Sequence, residues 1–165
     1  MVSVDLQDYT KAVDTYADIV YRIAYSYTYT KVDSEDVLQN VFLKLFQSKQ
    51  SFNSEDHLKQ WLMRVTVNEC HNLHRTFWKR KIHLAEIEKP VQNFLSDEEI
   101  DLHSAMLKLP SEYRIIIHMY YYEGYKTKEI SKILQMKEAT VRTRLARGRE
   151  RLKEVLKEEW ADETE

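Results

Sequence analysis

The residues best suited to chemistry in this chain are arginines that crowd one short stretch near its C-terminus. They recur at steps of two or three positions, as Arg142, Arg144, Arg147, Arg149 and Arg151. Guanidinium groups are permanently charged donors that bind phosphates and can form paired hydrogen bonds with the edge of guanine. This set is typical of nucleic-acid recognition, since it supplies neither a nucleophile nor a general base.

The elements around these arginines form a helix-turn-helix pattern. A short helix is predicted over residues 127–134, a tight turn over 135–137, and a longer helix that carries the arginines. The apolar positions suit a small core that leaves the arginines outside: Ile130, Ile133, Leu134, Met136, Val141 and Leu145. Two helices joined in this way are predicted to bind the major groove of duplex DNA through the second helix.

A second cationic block lies upstream, and acidic residues separate the two blocks. Residues 57–82 hold six lysines and arginines against one acid, and residues 137–153 hold seven against two. Residues 83–101 hold one lysine against six acids. The net charge of −2 therefore conceals two basic blocks, which predict two contacts with a polyanion.

The upstream block lies on a helix predicted over about residues 55–76, with Ser54 as its cap. A polar face recurs at steps of three or four, and further cations extend it: His57, Gln60, Arg64, Asn68, His71, Arg75, Lys79, Arg80 and Lys81. Cations follow phosphates, and the nearby Trp61, Phe77 and Trp78 can stack on bases, which suits single-stranded or distorted DNA. On these residues alone, an ordinary solvated face is an equally good interpretation.

The rest of the chain also has helical periodicity. Four more helices are predicted. They cover residues 9–29, a stretch from a cap at Ser34 to about residue 46, a stretch from a capping box at Ser96 to about Leu107, and residues 111–122. The second of these has an apolar stripe: Val37, Leu38, Val41, Phe42, Leu45 and Phe46. Residues 47–54 are predicted to form a polar loop, and residues 158–165 a frayed acidic tail.

Composition favours an all-α fold, because the 165 residues include only two glycines and two prolines. We predict two small helical domains, residues 1–82 and 98–165, joined by a flexible linker over 83–97, with the helix-turn-helix in the second domain. The single cysteine excludes an internal disulfide and suits a reducing compartment. Neither a signal peptide nor a membrane-spanning run is visible, so a cytoplasmic location without membrane insertion is predicted.

Matches to one family occur in order along almost the whole chain. DSEDVLQNVFLKLF (33–46) and WLMRVTVNECHNLHR (61–75) resemble regions 2.2 and 2.4 of the group IV, or extracytoplasmic-function, sigma factors of bacterial RNA polymerase. LPSEYR (109–114), EISKIL (129–134) and TVRTRLARGRERL (140–152) resemble region 4 of the same family. The chain departs from the family pattern at Gln135, where a turn glycine is usual.

The resemblance implies a role for each domain. The first would bind the clamp helices of the polymerase β′ subunit through Asp36, Gln39, Asn40 and Lys44. It would also open the −10 promoter element and capture a flipped base in the 47–57 loop, through Gln50, Asn53, His57, Trp61, Arg64, Asn68, His71, Arg75, Lys79 and Arg80. The second domain would read the −35 element through Thr140, Arg142, Thr143, Arg144 and Arg147.

The resemblance also implies partners beyond promoter DNA. They are the β flap of core RNA polymerase and an anti-sigma factor, which can hold the protein at the membrane. The acidic residues 83–101 would thread the channels of the polymerase.

Four other kinds of site or function are compatible with parts of the sequence. A zinc site at Cys70, His71 and His74 lacks a fourth ligand. No Gly-rich phosphate loop, nucleophile elbow or paired-carboxylate site is visible, so neither an enzyme nor a cofactor is predicted. A free-standing helix-turn-helix regulator is the main rival, although it would need no helix like 33–46. A protein-binding module is compatible with capture by an anti-sigma factor.

Overall fold

The computed structural model describes residues 6–80 and 97–162, with only the backbone for residues 74–80, 97–101, 159, 160 and 162. The chain divides into two compact units, Met1–Glu86 and Ile87–Glu165. The described elements are helical in both units, which confirms the predicted all-α fold of two helical domains. Within the described residues, no helix is long and apolar enough to cross a membrane.

The first unit is a bundle of three helices, α1 (Leu6–Thr28), α2 (Lys31–Gln47) and α3 (Glu55–Arg80). Each helix packs against the other two. The core consists of fully buried apolar side chains from all three helices: Val20, Ile23, Val37, Val41, Leu45, Leu62 and Met63. Hydrophobic burial of this stripe, and not helix propensity alone, holds the bundle together.

The start of α2 differs from the prediction. The helix begins at Lys31, and its cap is Thr30, whose hydroxyl accepts a hydrogen bond from the Asp33 backbone N–H at 3.2 Å. Ser34, the predicted cap, is fully buried and donates its hydroxyl hydrogen to the Thr30 carbonyl at 2.6 Å. The prediction was wrong because either hydroxyl can cap a helix, and only packing shows which one lies inside.

Aromatic burial around α2 and the following loop also departs from the prediction. Phe46, assigned to the apolar stripe, is 61% exposed, and its neighbour Leu43 is 51% exposed. Phe52, in the predicted polar loop, is only 3% exposed and contacts Trp61 edge to face, with ring centroids 5.5 Å apart. One apolar side chain thus anchors the loop to α3.

The second unit contains α4 (Asp97–Leu107), α5 (Ser111–Ile117), a π turn (His118–Tyr122), α6 (Thr127–Ile133) and α7 (Glu138–Asp162). Helices α4, α5 and α6 all contact α7. Gly148 of α7 is buried where a Cβ atom would lie 3.2 Å from the Tyr113 Cβ and 2.9 Å from the Ile117 Cδ1. The glycine therefore allows α5 and α7 to approach closely.

The Leu109-Pro110 break before α5 is tied to the preceding helix by Arg114. Its guanidinium donates hydrogen bonds to the carbonyls of Leu109 at 2.8 Å and Leu107 at 3.4 Å. Carbonyl groups at a helix C-terminus lack intrahelical partners, so a cationic donor there stabilises the end of α4.

Two predicted helix ends in this unit were wrong. The helix predicted over 111–122 is regular only to Ile117, after which a π turn is closed by the Glu123 N–H bonding to the His118 carbonyl at 3.2 Å. The side chains of the same two residues form a hydrogen bond of 3.1 Å. The predicted acidic tail is helical as far as Asp162. The predicted linker lies mostly outside the described residues.

Candidate nucleic-acid interfaces

The helix-turn-helix is formed by α6, a turn over 134–137 and α7. The Lys126 N–H donates to Glu129 Oε2 at 2.8 Å, which satisfies one unpaired backbone group at the start of α6. The buried side chains Ile130, Ile133, Val141 and Leu145 form the predicted core between the two helices. The motif and these four core residues are confirmed, whereas Leu134 and Met136, which were also assigned to the core, are half-buried.

Gln135 adopts the left-handed conformation in the turn, with φ of 53°. The next N–H, of Met136, donates to the Ser131 carbonyl at 3.0 Å, five residues back. This is the bonding of a Schellman motif, which glycine usually closes because other residues pay about 1–2 kcal/mol in the left-handed region. The turn therefore keeps its geometry without the glycine.

The predicted −35 residues occupy one end of α7. Arg142, Thr143 and Arg147 are exposed, and Thr140 and Arg144 are half-buried. Three arginines of α7 form polar contacts, each with a different partner. Arg142 bonds to Glu138 at 2.8 Å, Arg144 lies 3.6 Å from Glu112, and Arg149 donates to the Tyr121 hydroxyl at 3.1 Å.

These partners were missed by sequence reasoning. The Glu138–Arg142 pair was detectable, since the two residues are four apart on one helix. Glu112 and Tyr121 come from α5 and the π turn, so no local pattern links them to the arginines of α7.

The predicted −10 residues divide into two groups on the first unit. His57 and Trp61 surround the buried Phe52, with ring centroids 5.4 and 5.5 Å from it. His57 Nδ1 accepts the Asn53 N–H at 3.2 Å, while Ser54 caps α3 by accepting the His57 N–H at 3.1 Å. The structure thus brings Asn53, His57 and Trp61 together at the loop.

The second group lies further along α3. Asn68 and His71 are exposed, and Arg64 is half-buried. The His71 ring contacts Tyr27 of α1 edge to face, with centroids 5.4 Å apart. Gln50 is exposed in the loop. The side chains of Arg75, Lys79 and Arg80 lie outside the described residues, although their backbone is part of α3.

The residues predicted to bind polymerase lie on the outer side of α2. Asp36, Gln39 and Asn40 are exposed beside the exposed Leu43 and Phe46. Lys44 differs from the others, because its ammonium group forms an ion pair with the largely buried carboxylate of Glu69 on α3. Lys44 therefore links the outer helix to the helix that carries the cationic face.

Each unit also has an apolar cavity. In the first unit, a cavity of about 300 Å³ lies between α1 and the loop, and its lining includes Ala12, Tyr16, Phe52 and Leu58. In the second unit, a groove of about 600 Å³ has an apolar floor of Leu102, Met106, Ile117, Leu152 and Leu156. Its rim consists of cations from α7: Arg149, Lys153 and Lys157.

Cys70, His71 and His74, which are too few for a closed zinc site, differ in their surroundings in the part of the chain that is described. Cys70 is fully buried, whereas its neighbour His71 is exposed, and the side chain of His74 lies outside the described residues. Among the described side chains, no cluster of three histidines, cysteines or acids is arranged to hold a metal ion.

Taken together, a helix-turn-helix with an arginine-rich second helix and a separate bundle with a polar, cationic helix face define a helical DNA-binding protein of two units. Residues 12–80 match the family model of sigma-70 region 2, and residues 99–152 match that of sigma-70 region 4. The chain belongs to the sigma-70 family, in its extracytoplasmic-function group of RNA polymerase sigma factors.

Similar proteins support this assignment. RNA polymerase sigma factor SigV of Bacillus subtilis is 30% identical over 134 residues, which cover 78% of each chain. ECF RNA polymerase sigma factor SigE of Mycolicibacterium smegmatis is 30% identical over 162 residues, which cover 92% of this chain and 62% of that relative.

The fold is also shared with a solved structure. The sigma factor RpoE of Bartonella quintana, crystallised with the anti-sigma factor NepR, has a TM-score of 0.78 at 22% identity. The match covers 92% of this chain and 98% of that one.

Proposed function

We propose that this protein directs core RNA polymerase to specific promoters, and that its two units bind two promoter elements in different states. The observation that carries the proposal is the combination, in one chain, of a helix-turn-helix with a cationic helix face beside an exposed apolar surface. The protein binds core polymerase and promoter DNA and positions one on the other. It acts in the cytoplasm, without catalysis and without a cofactor.

Within the second unit, the domain predicted over 98–165 reads the −35 element as duplex DNA. Exposed donors on the first turns of α7 suit the major groove, where guanine offers two acceptors to an arginine. Thr140, Arg142, Thr143, Arg144 and Arg147 provide these contacts. Arg149 and Arg151 lie further along the helix and contribute charge.

Within the first unit, the domain predicted over 1–82 opens the −10 element. Single-stranded DNA is bound by cations that follow the backbone and by groups that stack on bases. The cationic contacts to the backbone, and hydrogen bonds to bases, are provided by Arg64, Asn68 and His71. The loop around Asn53, His57 and Trp61 receives a flipped base. Contacts to that base offset the few kcal/mol that its unstacking costs.

The outer face of α2 binds the polymerase. Leu43 and Phe46 are large apolar side chains exposed next to Asp36, Gln39 and Asn40. Exposed apolar surface ringed by polar groups is typical of a protein interface. The partner at this surface is the pair of clamp helices of the β′ subunit.

The groove of the second unit binds a helix from another protein. Its apolar floor and cationic rim suit an amphipathic helix with acidic residues along its edges. The occupants proposed are the β flap of polymerase and an anti-sigma factor, which would compete for it. An anti-sigma factor set in the membrane would hold the protein there.

The test is in vitro transcription with purified protein, core polymerase and genomic fragments, with start sites sequenced. We expect specific initiation only when protein and core are combined, and a shared −35 and −10 sequence upstream of the starts. A protein that protects one site tightly in the absence of core, and adds nothing to core, would instead be a free-standing helix-turn-helix regulator.

A further inference from the structure

Glu138, the first residue of α7, accepts two hydrogen bonds at a single oxygen. The hydroxyl of Thr127, the first residue of α6, donates to Oε1 at 2.9 Å. The guanidinium of Arg142, one turn further along α7, donates to the same atom at 2.8 Å. The carboxylate therefore joins both helices of the helix-turn-helix to one of the candidate DNA-reading arginines.

This arrangement differs from an ordinary pair of opposite charges on a helix surface. Such a pair contributes little and leaves both side chains mobile, because solvent competes for each group. Here a donor from a second helix holds the carboxylate. The pKa of this carboxyl group is lowered, chiefly by the Thr127 hydrogen bond and further by Arg142, because both donors favour its charged form.

Among the described contacts, no other arginine of α7 shares its carboxylate partner with a donor from a second helix. Arg144 lies 3.6 Å from Glu112, a half-exposed carboxylate at a longer distance. Thr127 and Glu138 also belong to helices that are packed together through buried Ile130 and Val141. The support for Arg142 therefore rests on a rigid part of the unit.

We propose that Glu138, held by Thr127, is a positioning residue that orients Arg142 to read a guanine in the −35 element. This inference rests on the proposed function, because it specifies how the second unit selects its sequence. An arginine that is already oriented loses less side-chain entropy when it forms two hydrogen bonds to guanine O6 and N7.

A positioning role for Glu138 differs in its effects from a purely structural one. The Glu138 carboxylate repels DNA phosphates, so its neutralisation raises affinity for DNA of any sequence. The same change leaves an uncharged amide oxygen, which holds Arg142 more weakly and lowers the preference for guanine. Glu138→Gln should therefore separate affinity from selectivity, with the two moving in opposite directions.

The experiment selects duplexes randomised across the −35 element with polymerase reconstituted from core and each variant. Wild-type protein should enrich guanine at one position by roughly 5- to 150-fold, the range for a two-bond base contact. Arg142→Ala should abolish that enrichment. Glu138→Gln should reduce it at least about threefold at the same position, while binding to unselected duplex stays equal or rises.

Two further variants keep the test decisive. Thr127→Val retains the side-chain shape but removes the donor, and it should also reduce the guanine enrichment, even if Glu138→Gln folds poorly. Glu150→Gln removes the same charge from the same helix about three turns further on, and it should leave the selected sequence unchanged. Circular dichroism during heating compares the stability of all variants.

Outcomes against the proposal are distinct from failure of the proposed function. Wild-type polymerase that enriches no −35 base overturns both. If wild-type protein and Arg142→Ala behave as expected but Glu138→Gln and Thr127→Val retain full enrichment, only the positioning role is overturned. It is also overturned if Glu138→Gln alters a different position from Arg142→Ala, since Glu138 would then read a base itself.

Discussion

Cys70 lies on α3 between the charged Glu69 and the exposed His71, yet it is fully buried. Burial, and to a lesser extent the nearby Glu69 carboxylate, raises the pKa of its thiol from an unperturbed value of 9.0 to about 12. The thiolate is the reactive form of cysteine. Cys70 is thus an apolar core side chain, and its protonation is linked to folding.

This linkage predicts a pH dependence of stability. Because the folded pKa lies above the unfolded one, the stability that Cys70 contributes is complete below pH 9 and falls as pH rises from 9 towards 12. Denaturant unfolding at pH 8 and pH 10 measures the fall in the free energy of unfolding. The free energy of unfolding falls by at most about 1.4 kcal/mol per pH unit through this one thiol.

Cys70→Ala is the control, since lysines and tyrosines also titrate in this range. The variant should lose less stability than wild-type protein between the two pH values. Equal losses in both would show that the thiol ionises alike in the folded and unfolded chain. Iodoacetamide should also alkylate native Cys70 far more slowly than the unfolded chain.

At the scale of elements, the turn of the helix-turn-helix is the place where local sequence and structure disagree most. Gln135 has a left-handed backbone at φ of 53°, and Gly124 has the same sign at 71°. The cost at Gln135 is tolerated because Ile130, Ile133 and Val141 are buried on either side. Packing of two helices therefore overrides the preference of one residue.

Gln135→Gly should consequently stabilise the second unit. Relief of about 1–2 kcal/mol of backbone strain exceeds the entropy that glycine adds to the unfolded chain, about 0.4–1 kcal/mol. We expect a net gain of roughly 0.5–1 kcal/mol. Amide hydrogen exchange of α6 and α7, measured in the full chain, should slow by about two- to fivefold.

Gln135→Ala is the matched variant, because it removes the same side chain but keeps the Cβ atom that causes the strain. Its amides should exchange at the wild-type rate or faster. If exchange slows in the alanine variant, or fails to slow in the glycine variant, the left-handed conformation of residue 135 is not the source of strain.

For the whole molecule, the two functions proposed for the first unit lie on different helices. The outer face of α2 carries Gln39 and Asn40, and α3 carries Asn68 and half-buried Arg64. The Lys44–Glu69 ion pair connects the two helices. Because the two sets of side chains belong to different helices, we expect that binding of polymerase and opening of DNA can be altered separately.

Asn68→Ala combined with Arg64→Gln should impair promoter opening more than binding to core polymerase. The physical reason is that these side chains belong to α3, and not to α2, and would act on unpaired bases. Fluorescence anisotropy of labelled protein measures binding to core, and permanganate reactivity of thymines measures opening.

The reciprocal variant is Gln39→Ala with Asn40→Ala, which should weaken binding to core and leave opening intact once core is saturated. Equal losses of binding and opening in the α3 variant would contradict the division between the two helices. Circular dichroism confirms that each variant retains its helices.

Much of this protein could be determined from its sequence alone. Helical periodicity, few glycines and prolines, and the spacing of Ile130, Ile133 and Val141 predicted an all-α chain with a helix-turn-helix. The alternation of charge predicted two cationic surfaces. These features depend on residues close together in the chain, so a local pattern contains them.

Only the tertiary structure decided which side chains meet across elements. It buried Phe52 against Trp61, exposed Phe46, paired Lys44 with Glu69, and brought Thr127 of α6 to Glu138 of α7. Each of these contacts joins residues from different elements, whose separation in space depends on how whole helices pack. The arginines of α7 were evident as a DNA-binding set from sequence, but the support that distinguishes Arg142 from the others arises only when the two helices are folded together.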